Sequence, residues 1–391
     1  MKYYLIAGEA SGDLHGSNLM KGLYAVDPDA SIRFWGGGLM LDVWKERQQT
    51  GDGGLVKDYR ETAVMGITDV LKSLGKISRN LSSCKEDLLQ WAPDVLILID
   101  YPGFNLKMAK FAHEHGIRVF YYIAPKVWAS RESRVRKIRR YVDKLFLIFP
   151  FEIPYFTRKG IPFEYRGNPL IDAVDGSPAM QESREAFFTR HGLQPQRYIA
   201  ILAGSRKGEI ARMMPVCMEV ADRLCRQDPG LHFIVAGAPA RSAEDYSAWL
   251  AGREQVQLVF GDTYGILRHA ECAIINSGTA SLEAALIGTP QVVCWSASAL
   301  TAFVGRYIFR VLDHIKFISL GNLIADRLVF KELIQEDFTA EKVEAEVLQL
   351  REKDYRERML QGYGDIRKAL GESGASQAVA RAMIEEIKKG K

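Results

Sequence analysis

The sequence predicts an α/β protein with two doubly wound parallel sheets, one in each half of the chain. Three observations carry this. Short apolar runs alternate with helical patterns along all 391 residues. The runs are continuously apolar, the mark of strands covered on both faces. Glycine-bearing turns follow several runs directly, where ligands of such sheets collect.

In the first half the predicted strands are Tyr3–Ala7, Ile32–Trp35, Val95–Ile99, Val119–Ile123 and Leu145–Phe149. Helical patterns at Leu14–Val26, Ile67–Gln90 and Leu106–His115 fill the gaps. Around 167–197, Gly167-Asn168-Pro169-Leu170 and Asp175-Gly176-Ser177-Pro178 read as a closing turn and a linker. A second series follows at Tyr198–Leu202, His232–Ala236, Val256–Phe260, Cys272–Ile275 and Gln291–Cys294, with a helix from Glu209 to about Cys225. The tail from Glu341 to Lys391 is helical, charged and free of proline. The expected division is 1–172, 173–355 and a terminal helical part, 356–391, that packs on the first domain or on a partner subunit.

Composition bounds the function. Hydrophobic residues make up 47% and charged residues 26%, as in ordinary globular proteins. The net charge of +4 gives no argument for nucleic acid. The five cysteines include no Cys-x-x-Cys pair, so they read as reduced, buried thiols rather than metal ligands. Met1–Ala7 is too short for a signal peptide, and no run reaches a membrane span. A cytoplasmic protein is expected. Asp27-Pro28-Asp29 has the Asp-x-Asp form of metal-dependent transferases but reads as a turn, and no metal site is expected.

The most informative segment is Gly204-Ser205-Arg206. Between a strand and a helix it offers backbone amides, a hydroxyl and a planar cation, a combination suited to a diphosphate held without metal. Ser277-Gly278-Thr279 repeats the arrangement, with Glu283 in the helix behind it. Together they point to a sugar nucleotide. In the first half, Gly8-Glu9-Ala10-Ser11-Gly12-Asp13 follows the first strand, either as a ligand-facing turn or as a structural turn capped by Asp13. Asp100, in Asp100-Tyr101-Pro102-Gly103-Phe104-Asn105, is a carboxylate at a strand end, fit to accept a hydroxyl proton or to cap the next helix. Lys126 and Trp128 open a further loop before the basic run Arg131 to Arg140. That run is a solvated helix face or a docking face for anionic lipid.

These segments, in this order and spacing, resemble the lipid-A-disaccharide synthases, inverting glycosyltransferases of family 19 with the two-domain GT-B fold. Pro150-Phe151-Glu152 and Ser319-Leu320-Gly321-Asn322 extend the likeness, which runs from Gly8 to about Gln335. The resemblance implies transfer of 2,3-diacylglucosamine from UDP to the 6-hydroxyl of 2,3-diacylglucosamine 1-phosphate, in lipid A synthesis. It implies UDP held in the second domain by Gly204, Ser205, Arg206, Ser277, Gly278, Thr279, Glu283 and Asn322. It implies the acceptor in the first domain, with Gly8, Ser11, Gly12, Asn105, Lys126 and Trp128 as substrate-binding candidates. The UDP-sugar is a substrate, and neither cofactor nor metal is expected.

The family commonly carries Asp-x-Pro-Asp-Phe-Asn, with its second Asp a candidate base. Here that position is Gly103, and the base is expected at Asp100, with Glu9 and Asp13 behind it. Smaller departures are Ala203 for a frequent Pro and Asn168 for a frequent His. The apolar stripe from Ala299 to Leu312, with Arg306 and Arg310 on another side, is a core helix or an interfacial patch. The expected partners are the two lipid substrates, the inner face of the inner membrane and, for the tail, a second copy in a homodimer. The competing readings are a UDP-N-acetylglucosamine 2-epimerase and a non-catalytic binding protein.

Overall fold

The computed structural model describes residues 1–47, 53–62, 67–125, 133–239, 241–297 and 316–389. Lys126, Trp128, Arg131 and the 299–312 stripe lie outside them. The chain forms two compact units, Met1–Ala173 with Leu370–Lys391, and Val174–Ala369.

The first unit is built on seven parallel strands: β1 (Lys2–Ala7), β2 (Ser31–Gly36), β3 (Gly54–Asp58), β4 (Val95–Ile99), β5 (Arg118–Tyr122), β6 (Lys144–Leu147) and β7 (Phe163–Tyr165). They lie in the order β3-β2-β1-β4-β5-β6-β7. The order reverses between β1 and β4, where Ala7 pairs with Ile99. Every residue of β4 is buried, as expected of a strand with helices on both faces. Tyr3, Tyr4, Tyr121 and Tyr122 are fully buried. Three of their hydroxyls find acceptors: Tyr3 donates to Asp27 (2.9 Å), Tyr4 to Asp87 (2.6 Å) and Tyr121 to the Asp100 carbonyl (2.6 Å). Asp27 also takes the N-terminal ammonium at 3.0 Å, so the Asp-x-Asp segment is structural.

The C-terminal helix Ala375–Lys389 completes this unit by packing on the helix Ala10–Val26. The two approach so closely that a Cβ on Gly22 would lie 2.6 Å from the Ser376 carbonyl oxygen. Asp172 accepts the Gly374 and Ser376 amides at the start of the helix. Near its end, Arg118 donates to the carbonyls of Glu386 and Ile387, and Lys144 pairs with Glu386 at 2.9 Å. The preceding helix, Lys353–Leu370, belongs to the second unit up to Ala369. Within the terminal segment 356–391, the part from Leu370 joins the first unit and the part up to Ala369 the second.

The second unit carries six parallel strands: β8 (Arg197–Leu202), β9 (Leu231–Gly237), β10 (Val256–Phe260), β11 (Cys272–Asn276), β12 (Gln291–Trp295) and β13 (Glu332–Ile334). Their order, β10-β9-β8-β11-β12-β13, reverses between β8 and β11, where Leu202 pairs with Ile275. Each sheet thus has a switch point at the carboxyl ends of two central strands, the position where such sheets open a crevice for ligands.

Candidate active site

In the first unit the switch point joins Gly8-Glu9 after β1 to Asp100-Tyr101 after β4. Asp100 (φ 43°) and Tyr101 (φ 46°) both occupy the left-handed region, and Ile123 (φ 66°) does so after β5. Non-glycine residues there cost about 1–3 kcal/mol each and persist only where their surroundings impose them. Those surroundings are visible. Asn105 is fully buried and its Nδ2 donates to the carbonyls of Asp100 (2.8 Å), Ile99 (3.2 Å) and Ile6 (3.4 Å). The Tyr101 ring stacks on Phe104 at 5.6 Å, and Phe104 on Trp35 at 5.5 Å. A Cβ on Gly8 would sit 2.3 Å from the Tyr101 ring, so this position must be glycine.

Glu9 is exposed at the start of the helix Ala10–Val26 and makes no cap bond. Its carboxylate, after burial, raises the pKa of the Tyr101 hydroxyl. The structure therefore brings Glu9 and Asp100 to the carboxyl ends of two paired central strands.

It takes three of the sequence candidates elsewhere. Asp13 is only 3% exposed and accepts the amides of Gly37 (2.8 Å), Leu39 (3.1 Å) and Met40 (3.1 Å). Both oxygens cap the helix Gly38–Glu46, and burial raises the carboxyl pKa against these donors. It is a positioning group rather than a base. Gly12 is buried against Ala7 and serves helix–strand packing. Asn105 holds the strained turn instead of facing solvent. Ser11 is half-buried in the first helical turn. Gly103 is exposed, and a Cβ there would meet nothing within 4 Å, so its lack of a side chain is not a matter of room.

In the second unit, Gly204 (φ 102°) ends β8 and Arg206 stands at the N-cap of the helix Lys207–Gln227. The amides expected to face a ligand are occupied: Ser205 and Arg206 both donate to Glu209 Oε2, at 3.0 and 3.1 Å. The Arg206 guanidinium is 68% exposed and lies 3.5 Å from Glu209. After β11 the Ser277 amide is held by the Cys294 carbonyl, and its hydroxyl reaches the Ile318 carbonyl at 3.5 Å. Gly278 is the N-cap of the helix Thr279–Ile287, and its Cβ direction opens on empty space. The leading amides of a helix have no intrahelical acceptor, so this end favours an anion. Glu283, one turn on, is half-buried and accepts from Tyr264 at 3.0 Å. Burial raises its carboxyl pKa, opposed by that bond.

Asn322 was expected at the nucleotide but is fully buried and fully bonded. Nδ2 donates to the Phe330 carbonyl (2.9 Å) and Glu332 (2.8 Å), while Oδ1 accepts Val329 (2.8 Å) and Phe330 (3.3 Å). Glu332 in turn accepts the Ile318 and Ser319 amides. Asn322 thus braces the 316–319 loop against Ser277, with both donors and its acceptor oxygen already engaged. Sequence reasoning gave Asn276, at the head of the second turn, no role of its own and passed over Arg212. Asn276 ends β11 and is 7% exposed; Arg212 sends Nε to the Ser296 carbonyl at 2.8 Å.

The comparisons with known proteins agree with this architecture. A family model described as lipid-A-disaccharide synthetase matches residues 3–384. A lipid-A-disaccharide synthase of Geobacter metallireducens is 39% identical over 388 residues, 98% of this chain and 97% of its own. That of Myxococcus xanthus is 37% identical over 390 residues, 99% and 98% of the two chains. Among solved structures, the UDP-GlcNAc 2-epimerase from Neisseria meningitidis bound to UDP-GlcNAc superposes with a TM-score of 0.70 at 13% identity, covering 98% of this chain and all of its own. A glycotransferase of kitacinnamycin gives 0.59 at 15% identity, over 99% and 98%. At such identities the structural likeness speaks for the fold alone, which is of GT-B type.

Proposed function

The chain belongs to the lipid-A-disaccharide synthase family of glycosyltransferases, which acts in lipid A biosynthesis; we propose that it transfers 2,3-diacylglucosamine from UDP to the 6-hydroxyl of 2,3-diacylglucosamine 1-phosphate, with inversion. The products are the β-1,6-linked disaccharide 1-phosphate and UDP. One observation carries this: the first switch point bears two carboxylates, and the second a largely exposed cation and a helix start with no side-chain cap. The first presents the carboxylates of Glu9 and Asp100, the second Arg206 and the start of the helix Thr279–Ile287. Displacement at the anomeric carbon needs a base on the acceptor hydroxyl and a stabiliser for the departing diphosphate.

In this reading Asp100 takes the proton of the acceptor hydroxyl, from a left-handed backbone whose carbonyl Asn105 and Tyr121 hold. Glu9 is the alternative base. Arg206 and the helix start take up the charge that develops on UDP, without calling on a divalent ion. Glu283 receives the ribose hydroxyls. The competing epimerase reading has only the fold likeness behind it.

We also place the protein on the cytoplasmic face of the inner membrane, as a peripheral protein. Among the described residues no helix is long and apolar enough to cross a membrane. On the helix Ser133–Tyr141, Arg136, Lys137, Arg139 and Arg140 are exposed while Val135 and Ile138 are buried. A face of this kind suits an anionic leaflet, where each cation contributes about 1 kcal/mol.

The test is UDP release from UDP-2,3-diacylglucosamine, with and without acceptor, in EDTA. Acceptor-dependent release with a disaccharide in the lipid extract is the expected result. A 2-epimer formed without acceptor, or UDP binding without release, would overturn it. Light scattering at assay concentration tests the homodimer.

A further inference from the structure

The turn after β8 is less open to a diphosphate than its sequence implies, because Glu209 already holds two of its amides. Two other groups border the same turn. Arg212, in the second turn of the helix Lys207–Gln227, is half-buried and pinned through Nε to the Ser296 carbonyl, beyond β12. Its Nη1 and Nη2 have no hydrogen-bond partner among the described residues. The guanidinium lies against Gly208, where a Cβ would be 3.3 Å from Nη1 and 3.8 Å from Nη2. Gly208 therefore leaves the space that this cation fills. At the other end of the turn, the Asn276 Nδ2 faces Gly204, where a Cβ would be 2.6 Å away. Asn276 is 7% exposed, and its amide has no hydrogen-bond partner among the described residues. The N–H groups of that amide are therefore free to donate to a ligand.

We propose that Arg212 and Asn276 bind the diphosphate of the sugar nucleotide, Arg212 as the oriented cation and Asn276 as a neutral donor. The inference rests on the reading of the second unit as the UDP-binding half. A guanidinium held by one nitrogen and offering two parallel N–H groups matches phosphate oxygens bidentately. Arg206, largely exposed and beside Glu209, supplies charge with less geometric constraint.

The experiment is titration calorimetry of UDP, UMP and uridine in EDTA, on the wild type, Arg212→Gln, Arg212→Lys, Asn276→Ala and Gly208→Ala, with a thermal midpoint for each. Arg212→Gln is expected to weaken UDP about 10- to 100-fold, the range of charge-assisted hydrogen bonds, while uridine changes less than about twofold. Arg212→Lys recovers part of the loss, because a point charge remains. Asn276→Ala weakens UDP, and Gly208→Ala does so mildly by crowding the guanidinium with the Ser296 bond intact. UDP affinity of Arg212→Gln within about twofold of wild type overturns the proposal, as does an equal loss for uridine and UDP, which marks a structural role. Wild-type protein that binds UDP no more tightly than uridine overturns the nucleotide reading itself.

Discussion

Replacing Asn322 by Ala deletes four hydrogen bonds from a fully buried site, two donated and two accepted, at 2.8–3.3 Å. At about 1 kcal/mol net for each bond the loss is about 4 kcal/mol, and a small domain has only about 5–15 kcal/mol in total. The damage spreads through Glu332, which holds Ile318 and Ser319, so the loop beside Ser277 loosens as well. Urea unfolding of Asn322→Ala, followed by tryptophan fluorescence, should show a large drop in the midpoint. UDP affinity, measured on the fraction still folded, should fall much less. Asn322→Asp keeps the two accepted bonds but sets a second carboxylate against Glu332, and should be no better than Ala. A wild-type urea midpoint together with lost UDP affinity would refute the bracing role and return Asn322 to the ligand.

Three further outcomes are expected. Asp100→Asn, which keeps a residue tolerant of the left-handed region, should lower transfer by about 10²–10⁴-fold with UDP binding intact; full turnover of the purified variant would reject Asp100 as base. His15 is buried and its pKa is pushed down to about 4 from 6.5, so the folded chain refuses a proton that the unfolded chain accepts between those values. The stability this histidine contributes is whole above pH 6.5 and falls by about 3 kcal/mol as pH drops through 4; urea titrations at several pH values should show His15→Leu with a flatter profile, and an unchanged profile would contradict this. Changing Arg136, Lys137, Arg139 and Arg140 together to Gln should abolish flotation with anionic liposomes while the thermal midpoint stays put, and retained flotation would remove this helix from the docking face.

The strands that fill the centres of both sheets were legible because buried parallel strands need apolar side chains on both faces. β3, β7 and β13 were not: Phe163–Tyr165 and Glu332–Ile334 are three-residue edge strands, and four of the five residues of Gly54–Asp58 are only half-buried. Such edges exist because a neighbour offers them a ladder, not because of their own pattern. The candidate site divides in the same way. Turns next to strands could be read locally, and so Glu9, Asp100 and Arg206 stand at strand ends. The roles of Asp13, Asn105 and Asn322 depend on backbone groups brought to them by folding: Asp13 serves amides beyond β2, and Asn105 a carbonyl on β1. Arg212 looked like one more charged residue on a helix until β12 placed the Ser296 carbonyl within its reach.

The C-terminal helix has a consequence for the order in which the protein can be made. Its partners on the first unit, Gly22, Arg118 and Lys144 among them, leave the ribosome long before it does, and Arg118 waits 268 residues for its acceptor on Glu386. The whole second unit is synthesised in between. The nascent first unit must therefore wait with one flank of the helix Ala10–Val26 uncovered, an apolar surface open to chaperones or to the same flank of another nascent chain. A chain stopped before Ala375 would stay in that state, with an intact second unit attached to an unfinished first.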